Sequence, residues 1–197
     1  MSADNIKEAA MYFFAAYGYE GTSLSQIAKE AGIKKQSIYS HFEGKDDLFL
    51  HILNNTLDQE IYDLNNNIKQ LHKKPLKTIL YQVLQNLMER YEHNENVKFW
   101  LRVSFYPPAH LYEEVNTAIY EYDLEERKVF QPLFIKAMEN KMLKKRDPEQ
   151  AVIAFISLLN AITVELVYGG INRAKEVVDP SWEVFWDGIS LTGKGEG

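Results

Sequence analysis

Apolar residues recur at helical spacing along almost the whole chain. Ile6, Ala9, Ala10, Phe13, Phe14 and Tyr17 mark an amphipathic helix over about 4–17, closed by Gly18. Leu24, Ile27, Ala28 and Ala31 share one face of a short second helix, with Ser23 and Gln26 spaced for a capping box at its start. Gly32 supplies the turn, because glycine enters the left-handed region without steric cost. A third short helix has only Ile38 and Phe42 as apolar anchors. After Gly44 a long helix runs from about Lys45 to near residue 70, on a stripe that includes Leu48, Ile52, Leu57 and Leu64. Pro75 opens another, continued to about 92, and His93 to Asn96 reads as a connection. A short apolar helix covers about 97–105, and Pro107-Pro108 breaks it. The next spans about 109–139, with Pro132 expected to kink or divide it. Asp147, Pro148 and Gln150 form a helix start, and 151–168 is apolar almost all round. Gly169-Gly170 ends that helix, and Asp179-Pro180 is expected to start the last one. The tail LTGKGEG is expected to fray. No run alternates with period two for long, so the pattern predicts an all-α fold.

Composition narrows this further. The 197 residues are 46% hydrophobic, enough for a real core, with no low-complexity run. No apolar stretch is read as reaching membrane-spanning length, and MSADNIKEAA does not read as a signal peptide, so the expected compartment is the cytoplasm. The absence of cysteine excludes disulfides, thiolate metal sites and cysteine nucleophiles. The net charge of −6 argues against broad, non-specific binding to nucleic acid. The first 50 residues are not basic overall, yet Lys34, Lys35 and Lys45 cluster where a groove-facing element would lie.

The third helix is the informative one. Away from Ile38 and Phe42 it carries Lys34, Lys35, Gln36, Ser37, Tyr39 and His41. These are cations, donors and acceptors on a surface with nothing to pack, which suits a major groove. Gly18-Tyr19-Glu20-Gly21-Thr22-Ser23, then Ile27-Ala28, Ala31-Gly32-Ile33, Ile38-Tyr39, His41-Phe42, Lys45 and Leu48 resemble the TetR family of bacterial transcriptional regulators. The resemblance covers about the first 50 residues; the remainder is similar only in length and helical layout. It implies a helix-turn-helix DNA-binding domain over 1–46 and a ligand-binding and dimerisation domain over 47–197. The implied DNA contacts are Thr22, Ser23, Ser25, Lys34, Lys35, Gln36, Ser37, Tyr39, His41 and Lys45. Capping alone also explains Ser23. Lys34 stands where a capping Ser or Thr is common in the family, and Gln36 where a small residue is common. The Gln36 amide can pair bidentately with adenine.

In the body, Phe99, Trp100, Phe105, Tyr112, Tyr120, Phe130 and Phe134, with Arg102 as a cation, are the candidate lining for a hydrophobic small-molecule effector. Residue by residue, a helical core explains the same aromatics. Phe155, Leu159, Ile162, Trp182, Phe185, Trp186 and Ile189 lie on helices too apolar to face water and are the candidate homodimer interface. The chain offers no phosphate loop, nucleophile elbow or paired metal-ligand motif, so no catalytic residue, metal or cofactor is assigned. The reading is a ligand-responsive regulator, most simply a repressor, that binds a double-stranded, pseudo-palindromic operator as a dimer. A small helical enzyme with an aromatic pocket, and a ligand-binding protein that has lost DNA binding, are the alternatives.

Overall fold

The computed structural model describes residues 3–191, and within them the fold is all-α. The helices are α1 (Ala3–Tyr17), α2 (Leu24–Glu30), α3 (Lys35–Ile38), α4 (Lys45–Gln70), α5 (Leu76–His93), α6 (Glu95–Phe105), α7 (Tyr112–Glu139) and α8 (Pro148–Ile189). A 3₁₀ turn, Ala109–Leu111, precedes α7. Of the tail, only Leu191 lies within the described residues. Two compact units divide the chain: Met1–Glu60 with His93–Tyr122, and Ile61–Glu92 with Asp123–Gly197.

In the first unit, α1 packs on α6 and on α2, and α2 packs on α3. Its centre is aromatic. The Phe49 ring meets Phe14 edge-on at 5.1 Å and Phe99 at 5.6 Å, and all three side chains are buried. Edge-to-face pairs of this kind add to the burial term. Asn94, read as part of a connection, is the N-cap of α6, and its side chain accepts from the N–H groups of Asn96 and Val97.

The second unit is built on α5, α7 and α8. Phe155 of α8 meets Phe130 at 5.0 Å and Phe134 at 6.3 Å, both on α7, and Trp182 at 6.5 Å. Asp147 caps α8 by accepting from the Glu149 N–H, with Pro148 in the first turn.

Three expectations need correction. Pro132 does not divide α7, which runs unbroken from Tyr112 to Glu139. Pro180 does not open a helix: the last helix resumes directly after Gly170, whose φ of 72° kinks α8, and Pro180 lies inside it. The carbonyl that Pro180 leaves unpaired belongs to exposed Glu176, where water can replace the lost bond. Finally, α8 is long and apolar enough to cross a membrane by length and composition, contrary to the sequence reading. A core helix passes the same test, and α8 buries Phe155, Ile162, Leu166 and Trp182 within its own unit.

Candidate nucleic-acid interface

The helix-turn-helix is set by short-range chemistry. The Gln26 N–H donates to Ser23 Oγ at 3.3 Å, and the Gln26 side-chain oxygen accepts from the Ser23 N–H at 2.8 Å, closing the capping box. Gly32 holds a φ of 67° in the turn, and the Ile33 N–H returns to the Ala28 carbonyl at 2.9 Å. Ile38 and Phe42 are buried, as are Ile27 and Ala28 of α2. Burying Ile38 fixes the rotation of α3 and turns its other residues outward.

Lys34, Lys35, Gln36, Ser37, Tyr39 and His41 are all exposed. Among the described residues, the side chains of Lys34, Lys35, Gln36, Ser37 and Tyr39 make no hydrogen bond or ion pair. Lys34 is the N-cap of α3 and makes no side-chain capping bond. The surface therefore presents two ammonium groups, an amide, a hydroxyl and a phenol, none committed to another described residue.

Of the other candidates, Thr22, Ser23 and Lys45 are spent internally. Thr22 is buried, and its hydroxyl donates to the Gly18 carbonyl at 2.7 Å. Ser23 is the cap just described, and Ser25 is exposed. Lys45 Nζ donates to the carbonyls of Tyr19 at 3.0 Å and Thr22 at 3.1 Å, and sits 3.8 Å from the Tyr19 ring centre. Its ammonium thus ties the α1–α2 turn to the start of α4. Asp46 and Asp47 already place two carboxylates in the first turn of α4, where they offset its dipole.

One cluster was not foreseen. The Tyr19 hydroxyl donates to Asp46, His110 Nε2 lies 3.3 Å from the same carboxylate oxygen, and the Tyr19 and His110 rings are 5.1 Å apart. The Tyr19 hydrogen bond, then His110 and Lys45, holds the Asp46 carboxyl below the usual carboxylate range. Burial, reinforced by Asp46, pushes the Tyr19 phenol well above its ordinary value. The partners lie 27 and 64 residues apart in sequence, so no local pattern signals them.

The effector set is divided: Phe99, Trp100, Arg102, Phe105, Tyr112 and Tyr120 belong to the first unit, and Phe130 and Phe134 to the second. Phe99 is a core residue against Phe14 and Phe49, while Phe130 and Phe134 pack on Phe155 in the other unit. Tyr112 and Tyr120 are more than half exposed, and Phe105 is partly buried. Arg102 Nη1 donates to the Ala15 and Ala16 carbonyls at 3.2 Å each, so its cation caps α1. Trp100 is buried with Tyr122 beside it at 5.5 Å, and its indole N–H has no hydrogen-bond partner among the described residues. Of the interface set, Phe155, Leu159, Ile162, Trp182 and Ile189 are buried inside the chain's own core; Phe185 and Trp186 are partly buried beside it. Their apolar character reflects that core.

Residues 6–52, which span α1 through the first turns of α4, match the family described as "Bacterial regulatory proteins, tetR family". The head is a TetR-family head. A negative transcriptional regulator of the biofilm operon icaADBC, IcaR of Staphylococcus epidermidis, is 28% identical over 125 residues, 60% of this chain and 65% of that protein. The chain thus matches a little under two thirds of that TetR-family relative's length. Solved structures show the same fold over nearly all of the chain. A TetR-family regulator from Mesorhizobium loti has a TM-score of 0.73 at 24% identity, covering 95% of this chain and 96% of that one. The regulator FadR of Bacillus subtilis, solved in complex with stearoyl-CoA, has a TM-score of 0.69 at 17% identity, covering 98% and 100%.

Proposed function

We propose that this protein is a TetR-family, ligand-responsive transcriptional repressor that acts in the cytoplasm as a homodimer on a pseudo-palindromic operator. One observation carries the DNA reading: α3 is anchored by Ile38, while five neighbouring polar side chains are exposed and uncommitted. Lys34 and Lys35 supply phosphate contacts, Gln36 and Ser37 reach base edges, and Tyr39 and His41 touch the backbone. Residues 1–46 are the DNA-reading part and 47–197 the regulatory part. Repression is supported by the name of the staphylococcal relative, a negative regulator.

The dimer reading moves to the outward face of α8. Ile153, Ser157, Ala161, Val164 and Tyr168 follow one another at helical spacing and are exposed. Beyond the kink, Val177, Ser181, Val184 and Gly188 repeat the pattern, partly or fully exposed. Val184 is 76% exposed, which in an isolated chain leaves a large apolar side chain in water. Small residues among the larger ones let a second copy approach closely, and antiparallel pairing would give a four-helix interface. The effector is hydrophobic and carries an acceptor oxygen, because the buried Trp100 indole N–H lacks a partner among the described residues. The stearoyl-CoA complex of FadR supports a hydrophobic ligand for this fold.

DNase footprinting over the DNA flanking its own gene tests this reading. The expected result is protection of two related half-sites roughly one or more helical turns apart, lifted by the effector. Uniform protection, or none, contradicts it.

A further inference from the structure

We propose that the groove between α1, α4 and α6 binds a hydrophobic organic monocation, with its charge held by Glu8 and Tyr12. The groove has a cavity volume of about 520 Å³ and lies within a single compact unit. None of its lining residues belongs to the expected effector set, so the site is independent of the effector reading.

Four charged side chains line the groove: Asp4, Lys7, Glu8 and Glu95. Lys7 pairs with Asp4 at 2.9 Å, and Glu95 accepts from Lys98 at 2.8 Å. Glu8 has no ion-pair or hydrogen-bond partner among the described residues, so one uncompensated carboxylate faces the space. Tyr12 stands one turn further along α1 and is 51% exposed. Residues four apart on a helix are neighbours, so the carboxylate and the ring face sit side by side. A carboxylate next to an exposed aromatic face attracts a cation by ion pairing and by the ring quadrupole. The remaining wall is mixed: Asn55, Thr56, Gln59 and Asn96 are polar, and two residues give the charge an apolar companion. Met11 and the buried Ile52 supply a thioether and an aliphatic surface. A volume of this size exceeds that of an ammonium group alone and suits an attached hydrocarbon or aromatic body.

The test is a series of ligands sharing one body and differing in head group: 4-phenylbutyltrimethylammonium, 4-phenylbutanol and 4-phenylbutanoate. Each is titrated calorimetrically into the full chain and into E8Q and Y12L, whose folding is checked by circular dichroism. Both positions are exposed, so neither change disturbs the core. The wild type is expected to bind the ammonium compound best and the carboxylate not at all. E8Q should weaken the ammonium compound about tenfold and leave the alcohol unchanged, and Y12L should weaken it several-fold. Backbone amide shifts in NMR should centre on residues 7–12 and 52–59. Equal binding of the three head groups, ammonium binding that survives both substitutions, or shifts centred elsewhere each overturn the proposal.

Discussion

Arg102 of α6 donates from Nη1 to the carbonyl oxygen of Ala15 at the end of α1, at 3.2 Å. It also reaches Ala16 and packs its guanidinium on Gly18, where an added Cβ would come within 3.4 Å of it. A cation over the last carbonyls of a helix satisfies unpaired acceptors and offsets the dipole. R102M should therefore destabilise the protein by about 1 kcal/mol, given the partial exposure. Urea unfolding measures this. R102M should also lower DNA affinity, because α1 supports α2 and α3. Unchanged unfolding and affinity would show that the cap does not matter.

Tyr19 and Asp46 provide a pH test. The folded-state carboxyl of Asp46 is depressed chiefly by the Tyr19 hydroxyl. A depressed acid contributes stability above its unfolded value, about 3.9, and loses it as pH falls through the folded value. Y19F removes the largest cause, so the Asp46 titration should move up toward the ordinary carboxylate range. NMR titration of the Asp46 side chain reads this directly; coincident curves for Y19F and wild type would contradict the assignment.

Lys45 and Gln36 should fail differently. K45M loses two bonds to backbone carbonyls and its ring contact, so it should destabilise the head by roughly 1–2 kcal/mol and weaken all DNA sequences alike. Q36A touches nothing in the fold and should change base preference by about 1–3 kcal/mol at one position. Thermal melting separates the two: K45M melts lower, and Q36A melts as the wild type does.

The α8 faces give a fourth prediction. A161E and V184E place a charge on the outward stripe and should yield a folded monomer. F155E places one in the core and should unfold the chain, since an unpaired buried charge costs several kcal/mol. Sedimentation with circular dichroism distinguishes these outcomes. A dimeric A161E would show that the stripe is not the interface.

Much of this structure was legible from residue patterns. The Ser23–Gln26 box, the Gly32 turn, the Asp147-Pro148 start and the Gly170 break each depend on a few adjacent residues and their backbone preferences. What stayed hidden depends on distance in sequence. The roles of Lys45, Arg102 and His110 follow from partners far along the chain, and no periodicity carries that information. The faces of α8 were hidden for another reason. A helix apolar all round does not show which side its own chain will cover, so Phe155 and Trp182 read as interface although they are core. Pro180 misled because a proline that usually opens a helix can also lie inside one, at a position where its orphaned carbonyl reaches water.

The central claim is that the exposed face of α3 reads DNA sequence. Fluorescence anisotropy is the direct measurement, with the wild type and Q36A each titrated onto a duplex from the DNA flanking the gene and onto a scrambled duplex of equal composition. The account predicts that the wild type prefers the flanking duplex by about 10³-fold or more, with affinity falling steeply as salt rises, and that Q36A loses part of that preference. Equal wild-type affinity for both duplexes, or no binding to either, would contradict it.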